Sequence, residues 1–280
     1  MYHLHQPEVA PGPTSGRGRR LGVAALVGVL AVPAAAVAVA RADHDMAMSE
    51  NHHGQSEVSI GLSVEAAEFE DTSYVGSYQG LAPALAWMRG RFGAGATISV
   101  YRLIKNGLTT YGAGDAMLSG HAMLVSTEAV HGGVALHVMV PTGSELDGLG
   151  MGHTMVMPSA WARWRSAPWT VAASAGYSRA MISLGGAPGA HDHGPMPLVD
   201  PMNLQELTWS AGADLDVGHG LQLGGRTLGG VPLGTGHTRV IGGGRLAWGT
   251  PRVSTGLELQ VGLAGDPFTV RGVVDTALRF

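Results

Sequence analysis

Twelve short runs of alternating apolar and polar residues fill the chain from residue 57 onwards, and they constrain the fold more than any other feature. Each run has about nine to thirteen residues, the length that a tilted strand needs to cross a bilayer. Gly, Pro and Asp separate the runs, and no helical periodicity competes with them. We therefore predict twelve strands. The runs span residues 57–67, 78–88, 94–104, 114–125, 132–141, 153–165, 168–179, 206–217, 219–227, 237–248, 251–262 and 268–280.

The last run, residues 268–280, shows what such a strand would face. At period two, Phe268, Val270 and Phe280 share one side, whereas Arg271 and Asp275 lie on the other. One apolar face and an aromatic end are typical of the closing strand of an outer-membrane barrel, where lipid touches one face and the lumen the other. In that fold Phe280 would be an interfacial anchor and a signal for the barrel-assembly machinery. The alternative is an amphipathic edge strand of a soluble sandwich.

The connections between the runs favour the barrel. Those after even-numbered runs are predicted to be short, such as Ser166-Ala167 and Gly249-Thr250. Short periplasmic turns that alternate with longer extracellular loops are the arrangement of outer-membrane barrels, and a soluble sandwich has no reason to alternate in this way. The predicted fold class is all-β, a transmembrane antiparallel up-and-down β-barrel of about twelve strands. The predicted longer connections, after odd-numbered runs, span residues 68–77, 105–113, 142–152, 180–205 and 228–236.

The composition agrees with a barrel and excludes several other classes. The chain has 44 Gly, no Cys, 14% charged residues and a formal charge of −4. These values exclude a disulfide framework and a polybasic nucleic-acid binder, so no nucleic-acid partner is expected. The chain has no G-x-S-x-G motif, and Gly242-Gly243-Gly244 lacks the Lys-Ser/Thr of a phosphate loop. We therefore predict that the protein is not an enzyme.

The N-terminal region reads as an export signal. The apolar segment from Leu21 to Ala40 follows three arginines and ends in Ala40-Arg41-Ala42. A basic start, an apolar stretch and a small-residue cleavage site predict a signal peptide over residues 1–42. An uncleaved anchor is the alternative, because about twenty apolar residues suffice to span a bilayer. A flexible periplasmic segment over 43–56 and a barrel over 57–280 would follow, which places the protein in the bacterial outer membrane against its lipid.

Two short motifs give the chain a family resemblance. The first is Gly112-Ala113-Gly114-Asp115, and the second joins Val140-Pro141-Thr142-Gly143 to Leu149-Gly150-Met151-Gly152. With them, residues 57–280 resemble the outer-membrane transporter family named for the meta-pathway of phenol degradation. The resemblance implies a twelve-strand barrel proposed to pass small molecules, and it implies no catalytic residues.

Two segments outside the runs have the composition of metal chelators. Imidazole binds Cu(II), Ni(II) and Zn(II), whereas thioether favours Cu(I), so His and Met without Cys favour copper. The N-terminal segment resembles, in composition only, the Met/His-rich lead of the copper-resistance outer-membrane B proteins. No cofactor is required; copper or another soft or borderline metal would be a ligand. Weak surface chelation without a function is the alternative. The candidate ligands are His44, Met46, Met48, His52 and His53 in one segment, and His191, His193 and Met196 in the other.

A third set of His and Met residues would line the lumen. With a turn centred on Ala129, His121 and His137 would oppose each other, with Cβ atoms about 5 Å apart. Such a stripe could relay a soft cation along the wall. The alternative is that Met fills gaps in a lumen of medium polarity, and a one-residue slip in register would dissolve the pairing. The candidate ligands in this stripe are His121, Met123, His137, Met139, His153 and Met155, with Met157 on the same face.

The predicted lumen also carries both signs of charge, which allows cross-lumen ion pairs that narrow or plug it. We predict passive or facilitated passage of small solutes, or an accessory role in metal handling. A structural, adhesion-type or metal-sequestering barrel without transport is the alternative from a different class. The charged residues assigned to the lumen are Glu65, Glu206, Asp214, Asp216, Arg226, Arg239, Arg245, Arg252, Glu258 and Arg271.

Overall fold

The computed structural model describes residues 56–70, 75–181, 199, 202–234, 236–265 and 268–280. Within these ranges no helix is long and apolar enough to cross a membrane. The predicted signal peptide, nearly all of the 43–56 segment and the candidate ligands His191, His193 and Met196 lie outside the described residues. The strands are β1 Ser56–Glu70, β2 Val75–Arg89, β3 Phe92–Thr97, β4 Val100–Lys105, β5 Leu108–Ala113, β6 Ala116–Ser126, β7 Val130–Val140, β8 Thr154–Ser166, β9 Trp169–Met181, β10 Gln205–Gly218, β11 Leu221–Pro232, β12 Arg239–Gly249, β13 Val253–Ala264 and β14 Phe268–Arg279.

These strands occupy twelve positions in one closed antiparallel barrel. β3 and β4 pair with different halves of β2, so they are one strand broken at Ile98-Ser99. β5 and β6 are likewise one strand broken at Gly114-Asp115, because β5 pairs with β4 and β6 pairs with β3. β1 pairs with both β2 and β14, which closes the sheet. The predicted all-β, twelve-strand barrel is therefore confirmed.

The connections lie at two rims of the barrel. The short-turn rim holds residues 90–91, 127–129, 167–168, 219–220 and 250–252, together with the start of β1 and the end of β14. Among the described residues, the long-loop rim holds 106–107, 141–153, 199, 202–204, 233–234, 236–238 and 265. The predicted long connections at 68–77 and 105–113 are wrong, because both hairpins continue toward the rim as paired strands. Asn106 and Gly107 form a two-residue turn with φ of 50° and 83°, the left-handed geometry that a tight hairpin favours.

The two faces of the wall differ as the alternating pattern predicts. On β13, Leu259 is 47% exposed on the outside, whereas Glu258 and Gln260 are 4% and 1% exposed on the inside. Trp169 of β9 is exposed on the outer face, and the hydroxyl of Tyr177 on the same strand meets the side-chain amide of Gln205.

Phe268 is an exception to the predicted facing. It was assigned to the lipid face, but it is 4% exposed and lies inside the barrel. The cause is a register shift between Glu68 and Phe69 of β1, which pairs Phe69 with Phe268 and passes over Thr269. A bulge of this kind turns the residues beyond it to the other face.

Candidate functional site: the long-loop end of the lumen

Aromatic and aliphatic side chains pack together inside one part of the barrel near the long-loop rim. We call this group the aromatic cluster. The rings of Tyr78 and Tyr101 meet edge to face, with centroids 5.7 Å apart. Leu149 and Val199 reach the cluster from connections rather than from strands, so residues outside the strands also pack inside this end of the barrel. The buried members are Ala67, Phe69, Tyr78, Tyr101, Leu103, Leu149, Val199, Ile241 and Phe268.

A second group, the methionine cluster, packs on the inner face of β6 to β9. Met117 of β6 opposes Met139 of β7, which in turn opposes Met155 of β8. Met139 and Met155 are 6% and 0% exposed. Met117, Met139 and Met155 therefore form a row at one level of the wall, which we call the methionine row. Its members are Met139, Met151, Met155 and Ala180, with Met117, Met157, Met202 and Leu204 packed against them.

The predicted opposition of His121 and His137 is wrong. His121 opposes Ala135, and His137 lies opposite Ser119 on one side and Met157 on the other. Two local features shift the register: Thr127 closes a tighter turn through hydrogen bonds with Val130, and the ladder slips between Met123 and Val125.

Both imidazoles nevertheless stay on the inner face as predicted, 9% and 7% exposed. They occupy successive levels below the methionine row, and neither ring nitrogen of His121 has a hydrogen-bond partner among the described residues. The ring lies over Gly93, where an added Cβ would collide with it. The inner wall of β6 to β8 thus combines buried thioethers and imidazoles.

A hydrogen-bonded latch holds connection 141–153 in the mouth of the barrel. The Asp115 carboxylate accepts hydrogen bonds from the backbone N–H of Gly143 (2.9 Å) and of Met151 (2.7 Å). Gly150 faces the same carboxylate, and a Cβ at that position would lie 2.5 Å from Oδ1. Between the two anchors, Leu149 enters the aromatic cluster at 2% exposure.

The latch joins the two motifs that carried the family resemblance. Thr142 extends it, because its hydroxyl donates to the Gly114 carbonyl (2.8 Å) and accepts from the Ala116 N–H (2.9 Å). The two motifs alone predict no role for these residues. The available signal in the sequence was Asp115 directly after Gly114, where the strand breaks.

Charged side chains form networks along the wall of β10 to β14. The Arg226 Nε donates to Glu258 Oε1 (2.7 Å), and a second guanidinium nitrogen also meets this carboxylate. The Gln260 side chain links Glu258 to Arg271: its amide nitrogen donates to Glu258 Oε1, and its Oε1 accepts from Arg271 Nε at 2.7 Å. Arg239 pairs with Glu206 at 2.7 Å.

These two ion pairs differ from the predicted cross-lumen arrangement. Each joins strands two positions apart in the sheet, so it follows the wall instead of crossing the barrel. Two residues predicted in the lumen, Asp216 and Arg252, are exposed near the short-turn rim. The ion pairs therefore stiffen one wall and do not by themselves plug the pore.

The candidate metal ligands fall into three groups. Among the described residues no group of three or more His, Asp or Glu could hold a metal ion. Met123 opposes Gly133 outside the methionine cluster, and His153 lies just before β8. His121, His137, Met139 and Met155 share the wall described above. The third group lies outside the described residues, and a metal role for any candidate stays a prediction. This group contains His44, Met46, Met48, His52, His53, His191, His193 and Met196.

Three methionines of the cluster are absent from the predicted His/Met stripe. Met117 could have been found, because it shares the alternation of His121 on the same strand. Met151 and Met202 could not, because they lie on connections whose path the alternating pattern does not predict.

Comparison with solved structures finds the same barrel fold in outer-membrane proteins. No family model and no curated protein matches the chain. Among solved structures, it is similar to an outer membrane channel from Pseudomonas putida F1, with a TM-score of 0.57 and 12% identity over 82% of this chain and 97% of that one.

Two other solved structures have the same fold. The translocator domain of the autotransporter NalP from Neisseria meningitidis has a TM-score of 0.51 and 13% identity, covering 83% of this chain and 90% of the domain. The KdgM porin has a TM-score of 0.50 and 11% identity, covering 79% and 99%. At such identities the likeness shows the fold alone.

Proposed function

We propose that this protein is a channel of the bacterial outer membrane that admits small solutes through a lumen restricted at its long-loop rim. One observation carries the proposal: a closed barrel with a polar, charged inner wall is covered at one end by the latched connection 141–153 and its buried Leu149. Polar walls suit hydrated solutes, and the apolar clusters at the mouth limit their size. A wide pore of single-sign charge would need unpaired charges, whereas Arg226 and Arg239 are paired here.

The orientation follows from the rims. In outer-membrane barrels short turns face the periplasm and longer connections face the outside. The short-turn rim also holds the start of β1 and the end of β14, which suits a chain delivered from the periplasm. The latched mouth would therefore face the medium. Membership of the meta-pathway transporter family remains part of this proposal, supported by the motifs that form the latch.

Bilayer recording of the purified full-length chain, combined with liposome swelling, tests the proposal. We expect discrete small conductance steps and swelling with monosaccharides and amino acids, but not with trisaccharides. The absence of both conductance and swelling, in a sample shown to be folded by its heat-dependent mobility in SDS gels, would contradict it.

A barrel that sequesters metal without transport is the second candidate, favoured by the buried thioethers and imidazoles of β6 to β8. Recording with and without copper separates the two. Copper binding by a silent barrel supports sequestration, and conductance that copper leaves unchanged supports simple passage.

The side chain of Phe280 provides a separate prediction about assembly. Its backbone pairs with Val58 through hydrogen bonds of 2.9 and 3.2 Å, while its ring is 72% exposed. Phe280→Ser keeps those backbone bonds but removes the aromatic group proposed to meet the assembly machinery. We expect a several-fold fall in heat-modifiable barrel in the outer-membrane fraction. Phe92→Ser, which alters another exposed ring at the same rim, is the control, and an equal loss in both variants would contradict the prediction.

A further inference from the structure

Methionine is segregated within the barrel. The aromatic cluster contains Phe, Tyr, Leu, Ile and Val but no Met, although it lies in the same end of the lumen. The methionine cluster contains six Met and only two other apolar side chains, Ala180 and Leu204. Leu fills a similar volume at little cost in stability, so gap filling alone does not require six thioethers in one place.

Three of the methionines occupy directly opposed positions on adjacent strands. Met117, Met139 and Met155 stand side by side on three adjacent strands, and directly opposed Cβ atoms lie about 4.5–5.5 Å apart. Met151 packs in the same cluster from connection 141–153. The hydrogen bond from its N–H to Asp115 fixes its backbone there. Flexible thioethers that start this close can converge on one ion.

Imidazoles continue the set below the row. His137 directly opposes Met157, and His121 lies one level further down the inner wall. At 9% exposure with neither ring nitrogen hydrogen-bonded, His121 is a buried polar group of the kind that proteins rarely leave without a partner. A metal ion coordinated by an imidazole nitrogen would give this side chain a partner.

The chemistry of the set selects the ion. Thioether and imidazole are neutral, soft to borderline donors, and thioether favours Cu(I) over harder cations. The described residues provide no cluster of carboxylates and imidazoles for a divalent ion. A monovalent ion also costs less to bring into this mostly uncharged place than a divalent one.

We propose that the methionine cluster is a binding site for a soft monovalent cation, Cu(I) or Ag(I), with His137 and His121 as the next ligands along the wall. The inference rests on the second candidate function, metal binding, and names the class of ion that the site would bind. The ion binds and leaves as a monovalent cation, so no electron transfer is involved.

Methionine methyl NMR on the full-length protein in detergent tests this site with Ag(I), which is inert to redox chemistry. The protein carries ¹³C-methyl methionine, and single Met→Leu variants assign the resonances. We expect Ag(I) nitrate in chloride-free buffer to shift the Met139 and Met155 signals at one ion per chain, while the signal of Met181, 56% exposed on the outside, stays in place. Shifts confined to Met46, Met48 and Met196, or no shift at all, would overturn the proposal.

Measurements of Ag(I) affinity are a second test of the site. We expect Met139→Leu/Met155→Leu to weaken Ag(I) binding at least tenfold and Met181→Leu to leave it unchanged; equal affinity in both variants would overturn the site. The single variant Met155→Leu covers the case in which the double variant does not fold. The titrations use a full-length background in which the ligands outside the described residues are replaced by Ser, namely His44, Met46, Met48, His52, His53, His191, His193 and Met196.

Conductance of the same samples separates this inference from the channel proposal. A silent barrel that still binds Ag(I) at Met139 and Met155 refutes passage and keeps the site. A conducting barrel that does not bind Ag(I) refutes the site and keeps the channel.

Discussion

Glu258→Ala is expected to lower the free energy of unfolding by about 3–5 kcal/mol, the usual cost of leaving a buried charge without its partner. Glu258 is 4% exposed and holds Arg226 through two contacts. Through Gln260 it also connects to Arg271, which is 4% exposed and stacks over Phe268 at 4.6 Å. Removing the Glu258 carboxylate therefore leaves the buried Arg226 guanidinium without this partner and takes away the acceptor of the Gln260 amide. Urea unfolding in lipid vesicles, followed by Trp fluorescence, measures the loss.

Two controls identify charge as the cause. Glu57→Ala removes a more exposed carboxylate whose distance to Arg279 is long, at 3.9 Å. The expected loss of unfolding free energy is therefore under about 1 kcal/mol. The double variant Arg226→Leu/Glu258→Leu removes both charges and is expected to recover most of the stability. If Glu258→Ala costs no more than Glu57→Ala, the network does not stabilise this wall.

Asp115→Ala is expected to raise single-channel conductance and to admit larger solutes in liposome swelling. The substitution deletes both acceptors that hold Gly143 and Met151, and a hydrogen bond to a charged group is worth about 1.5–3 kcal/mol. Without the latch, Leu149 loses the anchors on either side of it and connection 141–153 can leave the mouth. Recording from single barrels in planar bilayers measures the change.

A matched pair of variants in the same connection separates opening from general damage. Leu149→Ser alters a side chain 2% exposed in the aromatic cluster, whereas Leu146→Ser alters one that is 97% exposed. We expect the first to raise conductance as Asp115→Ala does and the second to match the unsubstituted protein. If all three variants conduct like the parent, the connection does not restrict the lumen.

The alternating pattern predicted the barrel well because bilayer thickness and the two-residue period act on every strand alike. It placed all twelve strand positions and the facing of His121, His137 and Glu258. It failed where a single local feature changes the count, as at the slip beyond Met123 and the bulge beside Phe69. Such slips depend on side-chain packing and turn hydrogen bonds, which an average periodicity does not contain.

The site was predictable only in its wall residues. Met139, Met155 and the two imidazoles follow from alternation along a strand. Met151 does not, because its position depends on a bond to Asp115, 36 residues away in the sequence. Contacts between a connection and a distant strand break arise from the folded topology.

The pairing of β1 with β14 has a consequence for the chain before the barrel closes. This contact joins Ser59 to Arg279, the two ends of the sheet, and every other strand pair forms between closer neighbours in sequence. Until it forms, β1 and β14 both expose unpaired edges that invite association with other chains. With only 14% charged residues to keep separate chains apart by repulsion, the chain is expected to depend on holding chaperones until its two edges meet.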